Sequence, residues 1–121
     1  MVKLVFCVRR RPDIETAEFH RYWREVHGPL VRTVAPALGI RRYVQVHTVP
    51  TPLNDLLAAS RQAPECFDGV AELWFDSAEA ISAAASTPEG AAAGELLLTD
   101  ERRFIDHARS PLFLAEEHTV I

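Results

Sequence analysis

Cysteine is scarce in this 121-residue chain, and its two cysteines, Cys7 and Cys66, form neither a CxxC pair nor a ligand-spaced cluster with histidine. That argues against a structural zinc site and against a disulfide scaffold, so no metal is expected. Long apolar runs are missing too. None approaches the roughly 18 residues that a membrane-crossing helix needs. The apolar opening, Met1 to Val8, is followed by arginine instead of being preceded by it, unlike a signal peptide. Nor is there an excess of basic charge. The formal net charge is −4 and the sequence pI is about 5.7, which speaks against a dedicated nucleic-acid binder. The run Arg9-Arg10-Arg11 is the local exception and reads as a solvated turn or an anion contact at a strand end. Low-complexity tracts are absent. What is present is 48% hydrophobic and 25% charged residues, a globular composition. The length suits one domain, 1–121, with a real core. The expectation is a soluble protein of a reducing cytoplasm with no nucleic-acid or membrane partner.

The chain is organised around Glu18–Leu30 (Glu-Phe-His-Arg-Tyr-Trp-Arg-Glu-Val-His-Gly-Pro-Leu). Phe19, Trp23, Val26 and Leu30 recur with helical spacing and predict one buried stripe. At about 100° per residue, His20 and His27 fall at one edge of that stripe if the helix stays regular. Gly28-Pro29 ends or restarts the helix, and Pro36 closes the second part.

Period-2 patterns predict strands at 2–9, 40–49, 69–75 and 112–121. Helices are predicted over about 17–27, 29–35, 53–60, 78–86 and 88–98, with Asp76 and Thr87 as caps. Asp100-Glu101-Arg102-Arg103 reads as a charged connection. The order β-α-β-β-α-β predicts a ferredoxin-like α+β sandwich, an antiparallel four-stranded sheet with helices on one face. Leu73, Phe75, Val44 and Val46 are expected under the helices. Val5, Tyr43, His47, Val70 and Trp74 are expected on the other face, too apolar to stay bare. A homodimer packed through that face, enclosing a ligand cavity, follows.

Four segments then become familiar in order. Phe19–Leu30 resembles the helix signature of the EthD domain family, and Arg42–His47 resembles its second strand. Asp68–Phe75 is similar to its third strand, and Asp100–Asp106 to the acidic stretch before its last. The resemblance covers the whole chain. It implies a dimeric α+β barrel and cofactor-free chemistry, such as polyketide dehydration or decarboxylation, or lactone isomerisation in aromatic catabolism. The chain departs from the pattern at Val46, where the family has Asn before the strand histidine. By alternation Val46 faces away from His47, which makes the change one of packing, and it weakens transfer of any one member's substrate.

The candidate chemistry rests on His27, Tyr43, His47 and Glu72. Tyr43 and His47 lie on one strand face with Cα atoms roughly 13 Å apart, enough to flank a mono- or bicyclic ligand. A neutral imidazole suits proton abstraction beside a carbonyl, and a tyrosine hydroxyl can donate to the resulting enolate. Glu72 reads either as an acid/base group in an apolar cavity or as an ion-pair partner of an arginine such as Arg41. Trp23, Gln45, Cys66 and Trp74 are expected to bind substrate as cavity wall and mouth, Cys66 as a free thiol and not a nucleophile. His20 is assigned to the scaffold or the surface, and His107 and His118 to solvent. The resulting expectation is a cofactor-free dehydratase, decarboxylase or isomerase acting on a small hydrophobic oxygenated ring. The alternatives are a non-catalytic dimeric binding or accessory protein, and a monooxygenase, although no pattern specifies haem ligation.

Overall fold

The computed structural model describes residues 1–121. Its strands are β1 (Val2–Val8), β2 (Arg42–His47), β3 (Gly69–Phe75) and β4 (Leu112–Ala115). They form one antiparallel sheet in the order β2-β3-β1-β4, the ferredoxin-like arrangement. Helices α1 (Thr16–Tyr22) and α2 (Gly28–Leu38) are joined by a π-helical turn, Trp23–His27. Then come α3 (Leu53–Ala59), α4 (Ala78–Ala85) and α5 (Pro88–Glu101). Gly39, at φ 73°, ends α2 in the left-handed conformation that glycine adopts without a Cβ penalty. Ser77, one residue past the expected Asp76, caps α4 by accepting from Ala80 N–H, and Thr87 caps α5 as expected.

The core lies between sheet and helices. Phe6 and Val8 of β1 and Ala71 of β3 meet Phe19 and Trp23 of the first helical segment, with Phe104 and Ile105 closing the layer. Each large side chain taken from water here stabilises the fold by roughly 1.5–3 kcal/mol. Gly69 belongs to this packing. A Cβ there would lie 2.5 Å from both the Trp23 indole and the Val46 carbonyl oxygen. Gly90 has the same role between α4 and α5, where a Cβ would strike the Ala84 carbonyl.

Two expectations about strands are corrected. β4 ends at Ala115, well short of residue 121, because its only neighbour runs out: Ala115 pairs with Lys3, near the start of β1. The faces of β2 are the reverse of those expected. Tyr43 pairs with Leu73, Gln45 with Ala71 and His47 with Gly69, so these three lie under the helices. Arg42, Val44 and Val46 face away, with Val46 43% exposed. Hydrogen bonding makes the polar face acceptable inside, since no buried side-chain polar atom in the molecule lacks a partner.

Candidate active site

The π-helical turn places the first functional group. A regular helix would bury Val26 and Leu30 after Trp23. In the structure Phe19, Trp23, His27 and Val31 are the buried positions, and Val26 is 39% exposed. The cause is one extra residue in the turn: Gly28 N–H bonds to Trp23 C=O, five residues back. A spacing of four residues drifts by about 40° per turn in an α-helix, and the wider turn takes up that drift. Pro29, which has no N–H, sits in the first turn of α2 and tolerates the break.

His27 therefore points inward, with its side chain almost sealed. Its Nδ1–H donates to Asp100 Oδ2 at 2.7 Å, and Tyr22 O–H donates to Asp100 Oδ1 at 2.6 Å. Burial, then the bond to Asp100, pushes the Tyr22 phenol up to about 12, so it stays a donor. Asp100 thus holds His27 in the tautomer that leaves Nε2 unprotonated. Nε2 has no protein partner, and no sealed polar atom is without one, so Nε2 is open to solvent-sized molecules.

His27 lines a cavity of about 180 Å³ between sheet and helices. Its wall is apolar, with Leu4, Leu73, Phe75, Ile81 and Leu97 among the lining residues. His27 and Glu101 are the polar residues on it, and Tyr43 lines it as well. Glu101 Oε1 is 3.0 Å from His107 Nε2, which sets the carboxylate at the wall.

A second chain of hydrogen bonds ends on Tyr43. The Trp23 carbonyl can only accept, so the Gln45 atom 2.8 Å away is Nε2. That nitrogen also donates to the Tyr43 oxygen at 2.9 Å. Gln45 Oε1 must then accept from His47 Nε2–H at 2.8 Å. His47 Nδ1 is left as an acceptor, and His20 Nδ1–H donates to it at 2.6 Å. The Tyr43 oxygen already accepts, so its own O–H is free for a ligand. Burial pushes this phenol up to about 12, keeping the proton on. Burial also lowers both His20 and His47, aided at His47 by His20 and at both by Arg24, and opposed at His20 by Asp68. Gly28 leaves room for the chain, since a Cβ there would lie 3.2 Å from Gln45 Nε2 and press on it.

The structure brings His27, Tyr43 and Trp23 together on the cavity. His47 and Gln45 stand behind Tyr43, and both His47 nitrogens are engaged, so His47 is not placed to take a proton from a ligand. Glu72 and Trp74 lie on the opposite sheet face, where Glu72 accepts from Lys3 Nζ at 2.6 Å and Trp74 donates to Glu117. Their separation from Tyr43 follows from the reversed faces of β2. Arg41 pairs with Asp76 and not with Glu72. Cys66 is exposed beside Arg9 and Arg109, away from the cavity. His20 is part of the tyrosine's hydrogen-bond chain and not plain scaffold. His107 is half-buried on Glu101, and His118 is exposed as expected. Sequence reading missed Asp100 and Glu101 because α5 runs three residues further than its apolar pattern suggests. Helical spacing from Leu97 would have been the available signal. No group of three or more His, Cys, Asp or Glu side chains is placed to hold a metal ion. No helix is long and apolar enough to cross a membrane.

The EthD domain model matches residues 11–108. The chain belongs to the EthD domain family. An EthD family protein from Bacillus halodurans C-125 is 24% identical, with TM-score 0.63, covering 98% of this chain and 99% of that one. SnoaB from Streptomyces nogalater, a cofactor-independent oxygenase, is 14% identical, with TM-score 0.57 and coverage of 99% and 95%. A dimeric ferredoxin-like protein of unknown function from Thermobifida fusca YX is 11% identical, with TM-score 0.56 and coverage of 94% and 88%. At these identities the likeness is one of fold. No curated protein matches. Within this EthD domain, residues 11–108 include every group of the two hydrogen-bond chains and the whole α5 helix.

Proposed function

We propose that this EthD-domain protein is a cofactor-free acid/base enzyme, of lyase or isomerase type, for a small hydrophobic ring compound bearing a carbonyl, such as a polyketide or lactone. The observation that carries the reading is His27, held by buried Asp100 on the wall of an apolar cavity that Tyr43 also lines. His27 Nε2 takes a proton from carbon next to the carbonyl, and Asp100 stabilises the imidazolium that forms. Tyr43 donates to the enolate oxygen as charge develops on it. The His27 imidazolium then returns that proton to carbon or to a leaving hydroxyl, with Glu101 at the same wall. His47, Gln45 and His20 are positioning residues that act through Tyr43. A positioned base of this kind contributes about 10²–10⁴-fold to rate.

The test is metal-free protein assayed with candidate polyketide and lactone substrates. His27→Ala and Tyr43→Phe are each expected to lower kcat by about 10²-fold or more. Unchanged turnover in both variants overturns the mechanism. The similarity in fold to a cofactor-independent oxygenase favours one further reading, since a deprotonated, electron-rich ring is also what such chemistry presents to oxygen. Oxygen uptake stoichiometric with turnover, measured in the same assay, would select it.

The open sheet face supports a homodimer. Val5, Val44, Val46, Val70 and Phe113 share it, with Phe113 51% exposed. A second copy would cover this face, and the Thermobifida fusca protein of similar fold is described as dimeric. The two free cysteines fit a reducing cytoplasm.

A further inference from the structure

Beside the apolar cavity lies a second, larger recess of about 390 Å³ at the free edge of β2, against α2. It shares Val31, Ile40 and Tyr43 with the cavity, so the two spaces adjoin at Tyr43. Its charge is one-sided. Arg24, Arg32, Arg41 and Arg42 line it, and no Asp or Glu does. Four of the chain's thirteen lysines and arginines are gathered there in a molecule of net charge −4. Only Arg41 is tied down, in a two-point pair with Asp76. Arg24 is 3.9 Å from Glu25 and 70% exposed at its side chain. Arg42 rests its guanidinium on the Trp74 ring at 4.6 Å, and neither it nor Arg32 has a carboxylate within ion-pair distance.

Taking the cavity as the substrate site, we infer that the substrate is a ring acid: its ring fills the apolar cavity while a carboxylate lies in the recess on Arg24 and Arg32. Guanidinium groups fit a carboxylate at two points and stay charged at any working pH. Their field also draws an anion to the cavity mouth before it binds. A carboxylate held there leaves the ring end against Tyr43, where the two recesses meet.

The probes are 2-naphthoate and its neutral isostere 2-naphthamide, titrated into the full chain by calorimetry at low and high salt. The acid is expected to bind about tenfold tighter than the amide at low salt, and most of that preference is expected to vanish at high salt. Arg24→Gln/Arg32→Gln should abolish the preference while the amide binds as before, which also shows that the variant folds. Equal affinity for acid and amide overturns the inference, as does a preference that survives in the double variant, or failure of both probes to bind at millimolar concentration. His27→Ala separates the two proposals. An acid preference retained in that variant, together with unchanged turnover, would sink the acid/base mechanism and leave the ring-acid site standing.

Discussion

The carbonyl oxygen of Trp23 accepts a hydrogen bond from Gln45 Nε2 at 2.8 Å. The same oxygen closes the π-helical turn through Gly28 N–H. One backbone acceptor therefore joins the helix that carries His27 to the strand that carries Tyr43. It also sets the direction of every hydrogen bond from His20 to Tyr43.

Gln45→Glu tests this ordering. A carboxylate cannot donate to the Trp23 carbonyl or to the Tyr43 oxygen, although it can still accept from His47. The change sets a carboxylate oxygen against the Trp23 carbonyl, which keeps only Gly28 N–H as a donor, and is expected to destabilise by about 1–3 kcal/mol in urea unfolding. It should also lower kcat more than it raises KM, because Tyr43 loses the partner that aims it.

Asp100→Asn tests the orientation of His27. The amide fills the same space but no longer fixes Nδ1 as the protonated nitrogen or stabilises an imidazolium. A drop in kcat of about 10²-fold or more is expected, with ring binding retained in a calorimetric titration. Full activity in this variant would mean that His27 is not the base.

The two central histidines give stability a pH dependence of known sign. Burial lowers both His20 and His47 below the ordinary histidine value of 6.5. Between their folded values and 6.5 the unfolded chain binds more protons than the folded one. Their contribution is thus present above pH 6.5 and is lost as pH falls through the folded values. The melting temperature should fall on acidification below that point, and His20→Gln, which keeps a donor for His47, should flatten the dependence. Melting temperatures that rise on acidification through this window would contradict the assignment of neutral rings.

The open sheet face makes a separate prediction about assembly. Phe113→Glu adds a charge to an apolar surface without touching the helix-side core. Sedimentation should show a dimer for the natural chain and a monomer for this variant. A monomeric natural chain would remove the dimer proposal.

The strand and helix order was legible because it is written in period. Val2–Val8 and Gly69–Phe75 are short runs rich in β-branched and aromatic residues, and the caps at the start of α4 and α5 follow short-range rules. The faces of β2 were not legible. Hydropathy alone assigns Val44 and Val46 inward, whereas hydrogen bonds from a helix carbonyl and from His20 hold the polar residues there. His27 and Tyr43 could be named from residue chemistry, but Asp100 could not. Its role depends on a contact with a residue 73 positions away, which no local pattern encodes.

Residues Glu25 and Val26 sit on the outside of the π-helical turn and touch little. Their identities are open to exchange, but their number is not. Deleting either of them would let the segment close as an ordinary α-helix and rotate everything beyond it by about 60° relative to α1. His27 would swing away from Asp100 while Phe19 and Trp23 stayed in place. The activity proposed here thus depends on a count of residues at a surface where substitution should be silent, and a library of single-residue deletions would find it where one of substitutions would not.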